Sequence, residues 1–324
     1  MKRTAFMLFA LVVLNACASK SGSGDNSTIG KGIDVETMRP PEAAQVVAEF
    51  QKRYGIEPVA APDTQVTSMA QVLEIIRGDR FSEFEAARAF TAGKQGSNAL
   101  TLRSYLETSH AGGLLLAAAI LEEERKQDMT ELRQVGQSRP LEVNQDQAAA
   151  QARAQQLKTK TDDLRKVVRA LKVLSEEPLV SGSDLAEQAI RQDPQSQLAY
   201  LAHANYYRLR GSWLEFDRMM RYAEDTETGN NPPVKTYLRA MEALQRYVDS
   251  AKCKELLEET LARRPDFVRA QANLVLVDRN IEDTYAQLQK LREMSPNHIV
   301  VRLAGPMIEE EYATAQQLKG AIQD

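Results

Sequence analysis

The sequence predicts an all-α protein, with helical hairpins stacked through its second half behind an N-terminal helical region. Three observations carry this. From residue 40 onward, apolar residues recur at spacings of three and four, the period of a helix face. No alternating apolar–polar run of four or more residues recurs, and no Asn-Gly or Asp-Gly turn joins two such runs, so sheet has no signature. Pro194, Pro265 and Pro296 each follow a helical pattern, which marks a recurring unit.

The elements follow in order. Pro40-Pro41-Glu42 suits a helix start and Gly55 a stop, with Val46, Val47, Phe50 and Tyr54 on the apolar stripe. Ser68 caps a second helix, with Met69, Val72, Leu73 and Ile76 inward, that ends at Gly78. A third carries Phe81, Phe84, Ala87 and Phe90 and ends at Gly93. Asn98 opens a fourth through Leu102, Tyr105 and Leu106. Gly112-Gly113 is expected to interrupt it before the apolar run Leu114–Leu121 and the polar stretch to Leu132.

Pro140 breaks helix. Beyond it, a Gln- and Ala-rich stretch predicts a long exposed helix leading to Leu157, Leu164, Val167, Val168, Leu171 and Leu174. That spacing fits a coiled-coil-like seam or a helix packed on its own domain. Pro178 and Ser181-Gly182-Ser183 are expected to end it. The boundary then falls between a helical region at 37–180 and a repeat region at 181–324.

Composition excludes several function classes. The 324 residues are 27% charged, 43% hydrophobic and 6% aromatic, with a mean hydropathy of −0.43. That length suits one large or two ordinary domains and a core without covalent staples. The 41 Lys and Arg against 45 Asp and Glu leave a net charge of −4, which argues against nucleic acid as a partner. Three histidines and two cysteines argue against a His- or Cys-rich metal site.

No HExxH, CxxC, GxSxG, Walker loop or GxGxxG occurs. The glutamate triplets at 122–124 and 309–311 splay by about 100° per residue along a helix, so neither converges on one substrate atom. They read as solvated surface. His110, His203 and His298 lack ligand-spaced neighbours, and His203 and Trp213 read as packing residues. No catalytic residue, metal ligand or cofactor is expected, and the chain reads as non-enzymatic.

The amino end gives an address. Lys2 and Arg3 precede ten apolar residues, Ala5 to Leu14. Ten helical residues span about 15 Å, half a bilayer core, so this is a signal segment and not a membrane span. It ends Leu14-Asn15-Ala16-Cys17. This resembles the lipobox of bacterial lipoproteins, which implies removal of residues 1–16 and lipidation of Cys17. Ala18 after the cysteine implies transfer to the outer membrane, with the body facing the periplasm. Residues 17–36, rich in Ser and Gly, read as a lipidated cysteine and flexible tether reaching roughly 25 Å. With Cys17 lipidated, Cys253 has no partner for a disulfide and reads as a buried thiol.

The repeat is the most informative feature. Arg77-Gly78-Asp79-Arg80-Phe81 is echoed by Arg210-Gly211-Ser212-Trp213, each a helix end, a glycine turn and an aromatic. Units starting at Gln197, Val234 and Val268 place Tyr200, Ala204, Tyr207, Gly211, Met220 and Ala223 in register with Tyr237, Leu244, Cys253, Leu257 and Pro265, and then with Leu274 and Val275. This resembles the tetratricopeptide repeat, a hairpin of two antiparallel helices that stacks into a superhelix. Phe216 and Met241 depart from its small-residue positions, and the third unit lacks the turn glycine.

The resemblance implies that the first helix of each pair lines a concave face. Asn205, Arg208, Lys235, Arg239, Arg246, Arg269, Asn273 and Arg279 would point into that groove. Such a cationic face suits an acidic peptide or a chain-terminal carboxylate. Alternatively, it is a solvated face paired with nearby Glu. The function expected is that of a scaffold holding subunits of an envelope machine, in pilus, secretion, polymer-export or outer-membrane assembly. A regulatory lipoprotein of an envelope sensor and a cell-wall enzyme are the alternatives.

Overall fold

In a computed structural model, the described residues are 36–56, 65–137, 145–226 and 233–323. The residues read as signal segment, Cys17 and nearly all of those read as tether lie outside them, as do residues 227–232. The described residues form thirteen α-helices and contain no strand, so the protein is all-α. None of these helices is long and apolar enough to cross a membrane. Two compact units divide them. One takes 36–56, 117–137 and 145–174, and the other takes 65–116 and the described residues from 175 onward.

In the smaller unit, α1 (Pro40–Arg53) opens on proline, and the Glu42 carboxylate accepts the Arg39 backbone N–H at 2.8 Å. Its apolar stripe buries Ala43, Val46 and Phe50. The rest of this unit comes from two long helices, α4 (Ser97–Gln137) and α5 (Gln145–Gln192). Leu157, Leu164, Val167, Val168 and Leu171 are buried along α5. Lys160 joins the two helices through Glu124 at 2.7 Å and Asp128 at 2.9 Å. Glu123 is 2% exposed and paired with Lys126, so one glutamate of the triplet at 122–124 is interior and not solvated.

The larger unit begins with α2 (Met69–Arg77). Ser68 and Gln71 form a capping box: Ser68 Oγ accepts the Gln71 N–H at 3.2 Å, and Gln71 Oε1 accepts the Ser68 N–H at 3.1 Å. The inward face carries Val72, Ile75 and Ile76, with Met69 and Leu73 half-buried. The left-handed residue of the following turn is Asp79 (φ 46°), not Gly78 (φ −81°). Aspartate tolerates this region because its short polar side chain bonds locally. A 3-10 turn at Phe81–Glu83 then leads into α3 (Phe84–Thr91).

Two expected breaks do not occur. Helix α4 runs unbroken through Gly112-Gly113, and α5 runs through Pro178 to Gln192. Gly182 marks a close approach between helices and not a terminus. Its carbonyl accepts from Ser104 Oγ at 2.7 Å, and a Cβ there would meet Thr108 Cγ2 at 2.7 Å. Burial of Leu179, packed with Ala111 and Leu115, helps offset the helix bond that Pro178 lacks.

Three hairpins follow. They are α6 (Gln197–Arg210) with α7 (Trp213–Asp225), α8 (Pro233–Gln245) with α9 (Ser250–Arg263), and α10 (Val268–Val277) with α11 (Ile281–Met294). Gly211 turns the first at φ 69°. Asp249 and Asn280 cap the second helices of the other two, accepting from Lys252 and Glu282 at 2.9 Å each. Helices α12 (Ile299–Leu303) and α13 (Gly305–Gln323) close the unit. Leu201, Phe216, Met220, Leu238, Met241, Leu244, Cys253, Leu257, Leu288 and Leu291 are all at most 1% exposed. Full burial of such side chains contributes roughly 1.5–3 kcal/mol each.

Candidate functional site

The eight residues of the expected groove separate into two sets. Lys235, Arg239, Arg246 and Arg279 find partners beside them. Arg239 bonds Glu242 at 2.8 Å and Glu224 at 3.2 Å, and Lys235 lies 3.7 Å from the same Glu224. Arg246 pairs with Asp217 at 2.9 Å and Glu242 at 3.0 Å, and its guanidinium lies over the Trp213 and Tyr247 rings. Arg279 donates to Ser250 Oγ at 2.9 Å. In this set three cations meet carboxylates, and the fourth, Arg279, meets a neutral hydroxyl.

Asn205, Arg208, Arg269 and Asn273 instead line one cavity of about 70 Å³. The first helix of each hairpin contributes to it: Asn205 and Arg208 from α6, Tyr237, Met241 and Gln245 from α8, and Arg269, Ala272 and Asn273 from α10. Thr108, Ser109 and Gly112 of α4 close one side, and Asp79 and His298 another. Its polar lining is interior, with Asp79, Ser109, Asn205, Arg208, Tyr237, Gln245, Asn273 and His298 between 2% and 8% exposed.

Arg208 is the unusual member. Its Nε and Nη2 both donate to Asn205 Oδ1, at 3.1 and 2.8 Å, and its Nη1 donates to Gln245 Oε1 at 3.0 Å. Among the described residues its partners are amides, and no carboxylate lies within ion-pair distance. Burial pushes its guanidinium below the ordinary value, and Arg269 pushes the same way. An arginine nonetheless stays protonated in a protein, so this is a buried cation without a counter-ion.

Arg269 differs. Its Nε donates to Asp79 and its Nη2 to Ser109, whose hydroxyl donates to the Tyr105 carbonyl one turn back. Burial opposes its charge, but Asp79, Tyr237 and Tyr105 together outweigh that and the net shift is upward. Asp79 Oδ2 also lies 3.7 Å from His298 Nε2. His298 Nδ1 accepts the Val300 N–H at 3.2 Å, which turns Nε2 toward Asp79. Asp79 therefore serves both groups from its left-handed turn.

Tyr237, Gln245, Asp79, Ser109 and His298 were not among the groove residues read from sequence. The register did mark Tyr237 as a repeat position, and the glycine-turn echo ran through Asp79. Nothing in the pattern joined Asp79 to Arg269, because 190 residues separate them.

His203 is 4% exposed and stacked on Tyr207 with ring centroids 4.6 Å apart, a packing role. Trp213 is half-buried, edge-on to Phe216 at 5.7 Å. In the smaller unit, a cleft beside Arg53, Arg153 and Lys160 has its cations paired, with Asp163, Glu131 and Glu124 respectively. Among the described residues no three His, Cys, Asp or Glu side chains gather as a metal site. No family model, curated protein or solved structure matches the chain.

Proposed function

We propose that the chain is a non-enzymatic scaffold, anchored by lipid on Cys17 to the outer membrane and facing the periplasm. On this reading it binds subunits of an envelope assembly machine along a tetratricopeptide-like inner face. The observation that carries the reading is the common cavity on α6, α8 and α10. Three first helices present polar side chains to one space, and the second helices contribute none to it. That is the arrangement a repeat array uses to receive another molecule.

The lipobox residues Leu14-Asn15-Ala16-Cys17 support the anchor. Two or more acyl chains give stable membrane attachment.

The test has two arms. Labelled palmitate should attach to the full chain and not to Cys17→Ser. A photocrosslinking residue at Lys235 or Arg279, beside the inner face, should capture a stoichiometric envelope subunit. The same group at the exposed Glu258 of α9 should not. Absence of label on Cys17 removes the anchor. Absence of a crosslink from both Lys235 and Arg279, or equal capture from Glu258, removes the inner-face scaffold.

A further inference from the structure

The cavity on the inner face is rich in hydrogen-bond donors and carries one excess positive charge. We propose that it is a binding site for a single carboxylate group, held between Arg208 and Arg269. The proposal deepens the scaffold reading by naming the chemistry received at that face, and it rests on that reading only for its role.

The charge count comes first. Arg208 and Arg269 contribute two positive charges and Asp79 contributes one negative. One positive charge remains in a buried space. Leaving a buried ion uncompensated is strongly unfavourable, and amide dipoles offset only part of that.

Hydrogen bonding points the same way. A guanidinium has five N–H donors. Three of those on Arg208 are engaged, which leaves one on each terminal nitrogen. Tyr237 Oη accepts from Asn273 at 3.2 Å, while its own proton has no acceptor among the described residues. The acceptors nearest the two guanidinium groups are engaged, Asn205 Oδ1 and Gln245 Oε1 by Arg208 and Asp79 Oδ1 by Arg269, and the amide oxygens carry no charge. What is missing is an acceptor with negative charge.

Size and charge select the ligand. About 70 Å³ is several times the ~10–15 Å³ that one water requires by the same kind of measure. A carboxylate supplies one negative charge and two acceptor oxygens. A phosphate monoester carries about −1.5 to −2, which would leave excess negative charge buried. Three of the four outer cations lie on Glu224, Glu242 and Asp217, and Arg279 stands apart on the Ser250 hydroxyl, so a long acidic peptide finds no continuous basic track.

The carboxylate could come from a small organic acid or from the carboxyl end of a partner chain, and calorimetric titration of the full lipidated chain in detergent separates them. The probes are sodium acetate, the tripeptide Ala-Ala-Ala, its C-terminal amide and inorganic phosphate. Acetate or the tripeptide acid should bind at one site, and the amide and phosphate should not. Tighter binding of the tripeptide acid assigns the carboxylate to a chain end, and equal or tighter binding of acetate assigns it to a small acid. Arg208→Met should weaken binding by about tenfold or more, as expected for loss of a charge-assisted bond.

If Arg208→Met loses its helical circular dichroism, Tyr237→Phe decides. It removes one donor and no charge, and should weaken binding several-fold. The proposal is overturned if neither acid binds, if amide or phosphate binds as well, or if a folded variant keeps the original affinity. A partner crosslinked by a chain that binds neither acid would leave the scaffold standing and remove the pocket. Acid binding without any crosslinked partner would do the reverse.

Discussion

Arg208 and Arg246 lie on one array of hairpins, yet they answer to different neighbours. Arg246 is half-buried, lies near two aromatic rings and bonds the carboxylates of Asp217 and Glu242. Arg208 is 8% exposed and bonds only amide oxygens. Residue type made them equivalent in the sequence. Burial and the reach of the nearest carboxylates separate them. A cation that has already met its partner offers little to another molecule. A cation buried without one is a demand for an anion.

The largest effect expected is at Arg269. Arg269→Glu sets a carboxylate against Asp79 in the interior and removes that aspartate's partner. Breaking a buried pair costs about 3–5 kcal/mol, so thermal unfolding should show a greatly lowered midpoint or no folded state. Arg246→Gln, which breaks a partly exposed pair without adding a like charge, should cost about 1 kcal/mol. Equal losses at the two sites would erase the distinction.

Two glycines of the larger unit sharpen it next. Gly182→Ala drives a Cβ to 2.7 Å from Thr108 Cγ2, and overpacking of this kind costs about 1–3 kcal/mol. Gly112→Ala meets nothing closer than Leu209 at 3.9 Å. Mid-helix alanine should there stabilise by about 0.5–1 kcal/mol. Denaturant midpoints of the two variants should move in opposite directions.

Acid should loosen the larger unit more gently. Burial holds His110 and His203 below the ordinary histidine value, with Arg88 adding to the effect at His110. The unfolded chain therefore binds protons that the folded chain refuses. Their contribution is complete above about pH 6.5 and is lost as pH falls toward the lowered folded values. Glu107 and Glu123 are raised by burial. They act oppositely, adding stability as pH drops through their raised values toward about 4.5. The melting midpoint should fall between pH 7.5 and 6, and a chain with His110→Gln and His203→Gln should show a flatter slope there. An unchanged slope would contradict the assignment.

The smallest signal is kinetic. Burial pushes the Cys253 thiol up to about 12, so a thiol reagent at pH 8 should label it only after denaturation. Rapid labelling of the native chain would mean that α9 opens readily.

Most of the fold was legible because its signals are local. Ser68 before Met69, Gly211 after Arg210 and the proline-marked units are read within one turn of helix, and α6 and α10 begin at the residues where the register began, Gln197 and Val268. The errors have tertiary causes. Gly112-Gly113 and Pro178 carry breaking propensities of a few kcal/mol at most, and packing against neighbouring helices overrides them. Gly182 looked like a stop because its closest contact, Thr108, is remote in sequence. Half of the candidate site was visible through the repeat register. Asp79 and His298 were not, since only folding brings them to Arg269.

The most direct test is the side-chain N–H signal of each arginine in a nitrogen-15 correlation spectrum, followed through solvent exchange and then through addition of acetate. The prediction is that Arg208 and Arg269 exchange slowly and shift when acetate is added, while Arg239 and Arg246 exchange fast and stay in place. Arg208 exchanging as fast as Arg246, or all four shifting alike, would contradict the account.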